Sequence, residues 1–207
     1  MDVLIRDVRL DDAEAIVRIL NPIIEAGTYT ILDTPLTAED ERRYIAGLPE
    51  RAIFHVAQKV SEKWHGHPAR GALWHRHPAD DSWAGSPCHN EPAFQTPSLT
   101  LGGDTIVGFQ TVEPFAGYTR ACDHVGVIAT FVDLEHRRQG IGTRLFEATF
   151  GVARHKGYEK MFTYVRADNP AALRAYRKCG FRIIGTAARH AKIGGHYVDE
   201  ILIEKFL

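Results

Sequence analysis

The feature that most constrains this chain is the junction at residues 125–143. A run of apolar, strand-forming residues ends at Val132, and a basic turn containing Gly140 and Gly142 leads into a helical segment. Because glycine has no Cβ, these two positions let the backbone come close to a ligand. The first N–H groups of the helix have no partner within it, and its dipole presents positive charge at this end. The junction therefore predicts a binding site for a pyrophosphate group.

The turn differs from two common phosphate-binding motifs. It lacks the Gly-Lys-Ser/Thr ending of a P-loop and the Gly-x-Gly-x-x-Gly pattern of a dinucleotide-binding turn. A second motif lies at residues 169–181, and one long helix and one strand fit between the two. Asp168 or Asn169 is suited to cap a helix there, Pro170 to occupy its first position, and Gly180 to end it.

Both motifs resemble those of one enzyme superfamily. Arg137-x-x-Gly140-x-Gly142 is similar to the acyl-CoA loop, Arg/Gln-x-x-Gly-x-Gly/Ala, of the GNAT superfamily of N-acetyltransferases. Residues 169–181 resemble its Asn-x-x-Ala-x-x-x-Tyr-x-x-x-Gly-Phe segment, with every named residue in place. The resemblance implies a single domain over residues 1–207 with the GNAT fold, an α/β (α+β) architecture in which helices flank a central mixed, mostly antiparallel sheet. It also implies acetyl-CoA as cosubstrate.

The pattern along the chain agrees with such a fold. Apolar residues recur at helical spacing over residues 16–23, where Pro22 is expected to kink or split the helix, and a second short helix is predicted at residues 37–48. The helix after the glycine turn is predicted to bury one apolar stripe, formed by Ile141, Leu145, Ala148 and Val152. Strands are predicted at residues 3–10, 52–60, 104–113, 123–132, 161–165, 181–188 and 197–204, with a hairpin turn at 193–196.

A long insertion interrupts the predicted hairpin between the second and third strands. Residues 61–99 stand where a hairpin has a short loop, and they are rich in His, Pro, Gly and Trp. We predict a loop with little regular structure. Several of its side chains are able to bind a metal, but their spacing matches no closed zinc site, and we predict none. These side chains are His65, His67, His75, His77, Cys88 and His89.

The overall composition argues against several classes of protein. At 207 residues the chain is long enough for one well-buried core, and its 44% hydrophobic and 25% charged content is typical of a globular protein. A net charge of −1 gives no bulk attraction to nucleic acid or to an anionic membrane. Three scattered cysteines predict reduced thiols and a cytoplasmic location, and residues 1–6 do not resemble a signal peptide.

Two further segments narrow the resemblance. Residues 21–30 and residues 192–205 look like the phosphinothricin and L-amino-acid N-acetyltransferase branch of the superfamily. That resemblance implies a small-molecule amine substrate, the α-amine of an amino acid or of an analogue, and it is compatible with a homodimer. Two alternatives remain open. One is a protein or peptide N-terminal acetyltransferase, which shares the same core, and the other is a non-catalytic acyl-CoA-binding sensor.

The resemblance assigns cofactor binding to the strand end, the turn and the second motif. Backbone amides of residues 138–144 are expected to bind the pyrophosphate. The strand edge at Phe131 and Val132 is expected to pair with pantetheine amides and to stabilise an oxyanion, and Asn169 to hydrogen-bond the cofactor. The predicted cofactor-binding residues are Phe131, Val132, Arg137, Arg138, Gln139, Gly140, Ile141, Gly142, Thr143, Arg144 and Asn169.

Two residues are predicted to move protons. Tyr176 is the expected acid for the departing thiolate: the ordinary pKa of tyrosine is about 10, against about 8.5 for a thiol, so its hydroxyl still carries a proton at neutral pH. The glutamate that often serves as base in the branch aligns with Val127, which cannot take a proton. His124 is the predicted base, because the ordinary pKa of histidine lies near neutral. Other candidates are a water chain through backbone carbonyls and the side chains of Glu113, Asp123, His190 and His196.

Overall fold

The computed structural model describes residues 2–60 and 105–207, and seven strands in this part of the chain form one sheet. They are β1 (Val3–Asp7), β2 (Ile53–Lys59), β3 (Ile106–Pro114), β4 (Val125–Val132), β5 (Lys160–Arg166), β6 (Arg182–Ile193) and β7 (His196–Phe206). Their order across the sheet is β1-β2-β3-β4-β5-β7-β6. Neighbouring strands are antiparallel except β4 and β5, which are parallel. The predicted mixed, mostly antiparallel sheet is confirmed.

Helices formed by the described residues cover both faces of the sheet. They are α1 (Ala13–Glu25), α2 (Ala38–Ala46), α3 (Ile141–His155) and α4 (Pro170–Lys178). Thr37 caps α2, and Asn169 caps α4 by accepting a hydrogen bond from the amide of Ala172, with Pro170 at the first position as predicted. None of these helices combines the length and apolar character that crossing a bilayer requires.

Two predictions about the helices are wrong in detail. Of the kink or split expected at Pro22, the split is not found: α1 continues to Glu25, because the ring removes a single N–H and hydrogen bonds beyond it still form, as from the amide of Ala26 to the carbonyl of Pro22. The buried stripe of α3 is also wider than predicted and lies to one side of the predicted line. Ala148 and Val152 are only half-buried, and the buried residues are Ile141, Leu145, Phe146, Thr149, Phe150 and Ala153.

The two faces of the sheet carry separate apolar clusters. On one face α1 packs against β2 and β3 through residues that include Ile16, Leu20, Phe54 and Phe109. On the other face α3 and α4 pack on β4, β5 and β7 through residues that include Ile128, Phe146, Tyr176 and Ile203. Because side chains alternate along a strand, Ile128 and Thr130 of β4 face α3 and α4, and Phe131 faces α1.

A gap opens in the middle of this sheet. β4 and β5 pair over only three residues, and the last pair is Val127 with Phe162. Beyond it β4 remains paired with β3 up to Val132, and β5 remains paired with β7 up to Arg166. The two strands therefore separate, and among the described residues a strand edge inside the sheet is left without a neighbour.

The hydrogen-bond pattern of β4 decides which backbone groups point into the gap. The amide of Phe115 donates to the carbonyl of Val125, and the amide of Asp133 donates to the carbonyl of Val107. Odd-numbered residues of β4 therefore direct their backbone groups at β3. The even-numbered residues after the last pair, Ile128, Thr130 and Val132, direct their N–H and C=O groups into the gap.

Residues 61–104, between β2 and β3, lie outside the described part of the chain. The predicted insertion at 61–99 and the histidines and cysteine considered as metal ligands fall there. These predictions, and that of a single domain over residues 1–207, remain predictions.

Close packing marks the point where the gap begins. A Cβ built on Gly126 would lie 2.7 Å from Cγ1 of Val112, 3.1 Å from Cε of Met161 and 3.2 Å from Cδ1 of Tyr158. The first of these distances is shorter than side-chain contacts allow. Only glycine therefore fits at this position of β4 without displacing the core.

We expect Gly126→Ala to lower the free energy of unfolding by about 1–3 kcal/mol, because an added methyl overpacks a filled core. Urea denaturation followed by circular dichroism measures this. Gly151→Ala is the matched control, since a Cβ there meets nothing within 4 Å and alanine favours the helix by up to about 1 kcal/mol. Equal stability of the Gly126→Ala variant and the parent would contradict the packing described.

Candidate active site

A cavity of about 640 Å³ lies where β4 ends, between the strand edge, α3 and α4. It brings together most of the predicted site residues, although they come from three separate segments of the chain. Those that line it are Phe131, Val132, Arg137, Arg138, Gly140, Ile141, Gly142, Thr143, Asn169 and Tyr176. The gap in the sheet thus leads directly into the predicted cofactor site.

Three predicted cofactor contacts do not fit the structure as proposed. Gln139 is exposed and does not line the cavity. The amide of Arg144 donates to the carbonyl of Gly140 at 3.1 Å, because Arg144 already lies in the hydrogen-bonded part of α3, and its side chain points toward Asp2. Phe131 lines the cavity, but its backbone groups face β3, so they cannot pair with a ligand in the gap.

His124 lies far from this cavity. It is exposed, precedes β4, and does not line the cavity. Six residues of extended chain separate it from Thr130, which corresponds to about 20 Å. An imidazole at the opposite end of the strand cannot reach an amine at the gap, so the prediction of His124 as the base does not fit the structure.

The glycine turn has the backbone shape of an anion site. Arg138 and Gly140 both have positive φ, 63° and 80°, and Gly140 is the N-cap of α3. Turned backbone of this kind arranges successive N–H groups around a concave surface that suits anions. The next residues, Ile141 to Thr143, carry the N–H groups that a helix leaves unpaired at its start. A Cβ on Gly142 would meet nothing within 4 Å, so the space beside this helix end is open.

Four cationic side chains line the same cavity. Arg137 and Arg138 come from the turn, and Arg174 and Lys178 come from α4. The two residues of α4 are four positions apart and so lie on one side of the helix. This spacing was visible in the sequence, but nothing in the sequence showed that this side of α4 faces the glycine turn. The charges suit a ligand that carries several phosphates.

The loop between α1 and α2 closes one side of the cavity. The guanidinium of Arg137 lies 3.9 Å from the centre of the Tyr29 ring, and Nδ2 of Asn169 donates to the carbonyl of Tyr29 at 3.4 Å. Nη1 of Arg166 donates to the carbonyls of Gly27 and Thr30 at 2.8 and 3.0 Å. Sequence analysis missed Tyr29, because its partners lie more than a hundred residues away along the chain.

Tyr176 points its hydroxyl at β4 beside the gap. Its ring packs edge-on against Phe146 and Phe181, and its hydroxyl donates to Oγ1 of Thr130 at 3.4 Å. The same oxygen accepts a 2.7 Å hydrogen bond from Nε2 of Gln110, which is fully buried. Burial raises the pKa of Tyr176 to about 12. The hydroxyl is therefore protonated at any pH at which the protein would be assayed.

The remaining candidate bases lie on different elements of the fold. Asp123 is beside His124, and His196 is exposed at the first position of β7. Glu113 of β3 is the cross-strand partner of Val127, and its carboxylate accepts a 2.5 Å hydrogen bond from the hydroxyl of Tyr44. His190 lies on β6, on the other side of the gap.

Comparison with known proteins agrees with this geometry. The family model described as Acetyltransferase (GNAT) family matches residues 61–181, which is more than half of the chain. The chain belongs to the GNAT family. The match covers the glycine turn and α4, the two segments that form most of the cavity wall.

Three individual relatives share 16–30% sequence identity with this chain. The L-amino acid N-acetyltransferase AaaT of Escherichia coli is 27% identical over 124 residues, which cover 59% of this chain and 74% of that protein. A mycothiol acetyltransferase of Thermobispora bispora is 30% identical over 158 residues, 72% of this chain but only half of that protein. The crystal structure of a GNAT superfamily phosphinothricin acetyltransferase from Sinorhizobium meliloti in complex with AcCoA has the same fold. Its TM-score is 0.72 at 16% identity, covering 100% of this chain and 89% of that one.

Membership of the GNAT family makes the chain an N-acetyltransferase with acetyl-CoA as its acetyl donor. The cavity residues fit that donor. The free N–H and C=O groups of β4 match the amides of a pantetheine arm, and the positive-φ turn with its cations matches the phosphates.

We expect Gly142→Val to weaken acetyl-CoA binding by about tenfold or more, because a branched side chain at the start of α3 fills space beside the unpaired N–H groups. Isothermal titration calorimetry with acetyl-CoA measures the change. Gly151→Val is the control, since it places the same side chain on the same helix outside the cavity. Unchanged binding by the Gly142→Val variant would mean that the phosphates bind elsewhere.

Proposed function

We propose that this enzyme acetylates the primary amine of a small molecule, and that its acceptor is the α-amine of an amino acid or of an amino-acid analogue. The relative AaaT supports this substrate class, because it is an L-amino acid N-acetyltransferase that matches more than half of this chain. The resemblance of residues 21–30 and 192–205 to the phosphinothricin and L-amino-acid branch supports it as well.

The observation that carries the proposal is the gap between β4 and β5. The gap is continuous with the cavity that the cations and the glycine turn line. The free edge of β4 borders the gap, and the hydroxyl of Tyr176 lies beside that edge. A donor held along the β4 edge would leave the opposite side of the gap open to an amine. Direct attack by that amine therefore needs no acyl-enzyme intermediate. Cys122 and Cys179 are half-buried, and neither has a histidine or carboxylate hydrogen-bonded to it in the described structure.

Binding and orientation come from the backbone and the cations. When bound, acetyl-CoA supplies an acetyl group activated as a thioester. The N–H groups at the start of α3, with Arg137 and Arg138, would hold the pyrophosphate. The even-numbered residues at the end of β4 would bind the pantetheine amides as a neighbouring strand does, and one of their N–H groups would stabilise the negative charge on the thioester oxygen.

Tyr176 would protonate the thiolate as it leaves. A hydroxyl with a pKa of about 12 is a weak acid beside an ordinary thiol, whose pKa is about 8.5. The thiolate, however, would form in the same buried place, and burial disfavours both anions in the same way. Tyr176 stays protonated until the thiolate appears beside it, and the bond to Thr130 orients its hydroxyl toward β4.

A panel of amines tests the substrate class. We expect release of free thiol from acetyl-CoA, followed with a thiol reagent, in the presence of one or more amino acids, methionine sulfoximine or phosphinothricin. Mass spectrometry of the product should show one added acetyl group on the α-nitrogen. Peptides with free N-termini and polyamines complete the panel.

Two results would contradict this substrate class. Turnover only with peptide or protein N-termini would identify a protein N-terminal acetyltransferase. Binding of acetyl-CoA in calorimetry with no turnover on any amine would identify an acyl-CoA sensor.

We expect Tyr176→Phe to lower kcat on the order of 100-fold or more, because the ring remains in place and only the proton donor is lost. Acetyl-CoA binding measured by calorimetry should change little. Tyr158→Phe is the control, since Tyr158 is equally buried but its hydroxyl donates to the carbonyl of Arg51, away from the cavity. An unchanged kcat for Tyr176→Phe, with chemistry shown to limit the rate, would make Tyr176 a packing residue.

The cytoplasmic location and the homodimer expected from the sequence belong to this proposal too. Size-exclusion chromatography with light scattering on the full chain tests the homodimer directly.

A further inference from the structure

A β-bulge on β6 lies beside a contact between a histidine and a buried glutamate. Ala187 pairs with Glu200 and Ala191 pairs with Val198, so three residues of β6 face the single residue Asp199 of β7. The middle one, Arg189, has a φ of 52°, and its amide donates to the Asp199 carboxylate at 2.6 Å. Bulges are common beside active sites, where they redirect a side chain. The residue redirected here is His190.

The glutamate that His190 faces lacks a hydrogen-bond partner at one oxygen. Glu200 is 2% exposed, and its Oε2 atom is buried with no donor among the described residues. Its cross-strand neighbour Arg166 directs its guanidinium at Asp168 and at the carbonyls of Gly27 and Thr30. The imidazole of His190 lies beside this oxygen, with its Nε2 atom 3.8 Å from Oε2.

His190 does not line the cavity, and its connection to the gap is the ring of Tyr164 on β5. The imidazole stacks on this ring, with centroids 5.5 Å apart and planes 18° from parallel. Tyr164 lies two residues after Phe162, the last residue of β5 paired with β4, so its backbone borders the open part of the gap and its side chain lies on the α1 side of the sheet. The side chain of His190 is 49% exposed, so an acceptor molecule can reach it.

We propose that His190, oriented by Glu200 and by the ring of Tyr164, is the base that takes the proton from the acceptor amine. The inference rests on the proposed function. With Nε2–H directed at Glu200, the Nδ1 atom is the free acceptor. The acid Tyr176 lies on the face of the sheet covered by α3 and α4, and His190 lies on the face covered by α1. The two proton transfers therefore take place on opposite faces of the sheet.

The proton balance is complete with these two residues. The amine nitrogen bonds to the acetyl carbon, and the bond between that carbon and sulfur breaks with its electron pair going to sulfur. His190 takes one proton from nitrogen, and Tyr176 gives one proton to sulfur. The products are the N-acetyl amine and free coenzyme A, and the two side chains recover their protonation states through solvent.

Charged and ionisable groups from three elements lie near His190. β7 contributes the carboxylates of Asp199 and Glu200, β5 contributes Tyr164 and Arg166, and the bulge itself contributes Arg189. Burial raises the pKa of Glu200, while His190 and Arg166 oppose that shift.

Kinetics of three variants test the proposal with the amine that the panel identifies. We expect His190→Gln to lower kcat/KM on the order of 100-fold and to lose the acidic limb of the pH profile, because glutamine cannot accept a proton. We expect Glu200→Gln to cause a smaller loss, because the imidazole keeps its stack on Tyr164 but loses the carboxylate that orients it. His155→Gln is the control, since His155 is exposed on α3 and bonded to the carbonyl of Gly151. Melting temperatures establish that each variant is folded.

A measurement without acetyl-CoA or amine gives a second readout. Long-range proton–nitrogen NMR spectra of the imidazole rings should show His190 as the Nε2–H tautomer at high pH. The preference for this tautomer should be lost in Glu200→Gln and kept in His155→Gln.

Different results would overturn different claims. A parent that acetylates amines and a His190→Gln variant with unchanged kcat/KM would refute this inference alone, as would an unchanged tautomer preference of His190 in Glu200→Gln. Loss of the acidic limb in Glu113→Gln, with that limb intact in His190→Gln, would assign the base to Glu113 instead. A parent that acetylates no amine would refute the proposed function, and this inference with it.

Discussion

The pairing of β4 with β5 over only three residues is the constraint on which the rest of the site depends. After Val127 and Phe162 the two strands continue in one sheet, each held by its other neighbour, so the gap is stable without a bond across it. The gap exposes backbone groups of Ile128, Thr130 and Val132, and it brings both faces of the sheet within reach of one ligand. The close packing at Gly126 lies one residue before the last pair.

The helices, the strands and the glycine turn were predictable because the residues that indicate each one lie within its own segment of the chain. The alternation of apolar residues, the caps at Thr37 and Asn169, and the glycine turn determine strands and helices without knowledge of the partners. The glycine turn and the Tyr176 motif also indicated the family, and both do line one cavity. Arg144 was assigned wrongly, since the sequence does not show at which residue hydrogen bonding within α3 begins.

The acceptor side of the site, at His190 and Glu200, was not predictable. It depends on contacts between residues of different strands, and the sequence does not show those contacts. Residues 125–132 look like one uninterrupted strand, and nothing in them shows that pairing with β5 stops at Val127. The bulge has no glycine, so the positive φ of Arg189 leaves no mark in the sequence. His190 was only one histidine among several until β7 placed Glu200 beside it. His124 was preferred for its residue type alone, and its distance from the cavity removed it.

The unpaired edge of β4 also bears on solubility. A strand with free N–H and C=O groups is a template on which another chain can pair, and sheets usually protect such edges at their margins. Here the free edge lies in the interior of the sheet, with β5 and β7 on its far side, so a second protein's strand cannot approach it in the plane. A slender ligand with amide groups can enter where a foreign strand cannot. The same placement that creates a binding groove thus guards the chain against aggregation through it.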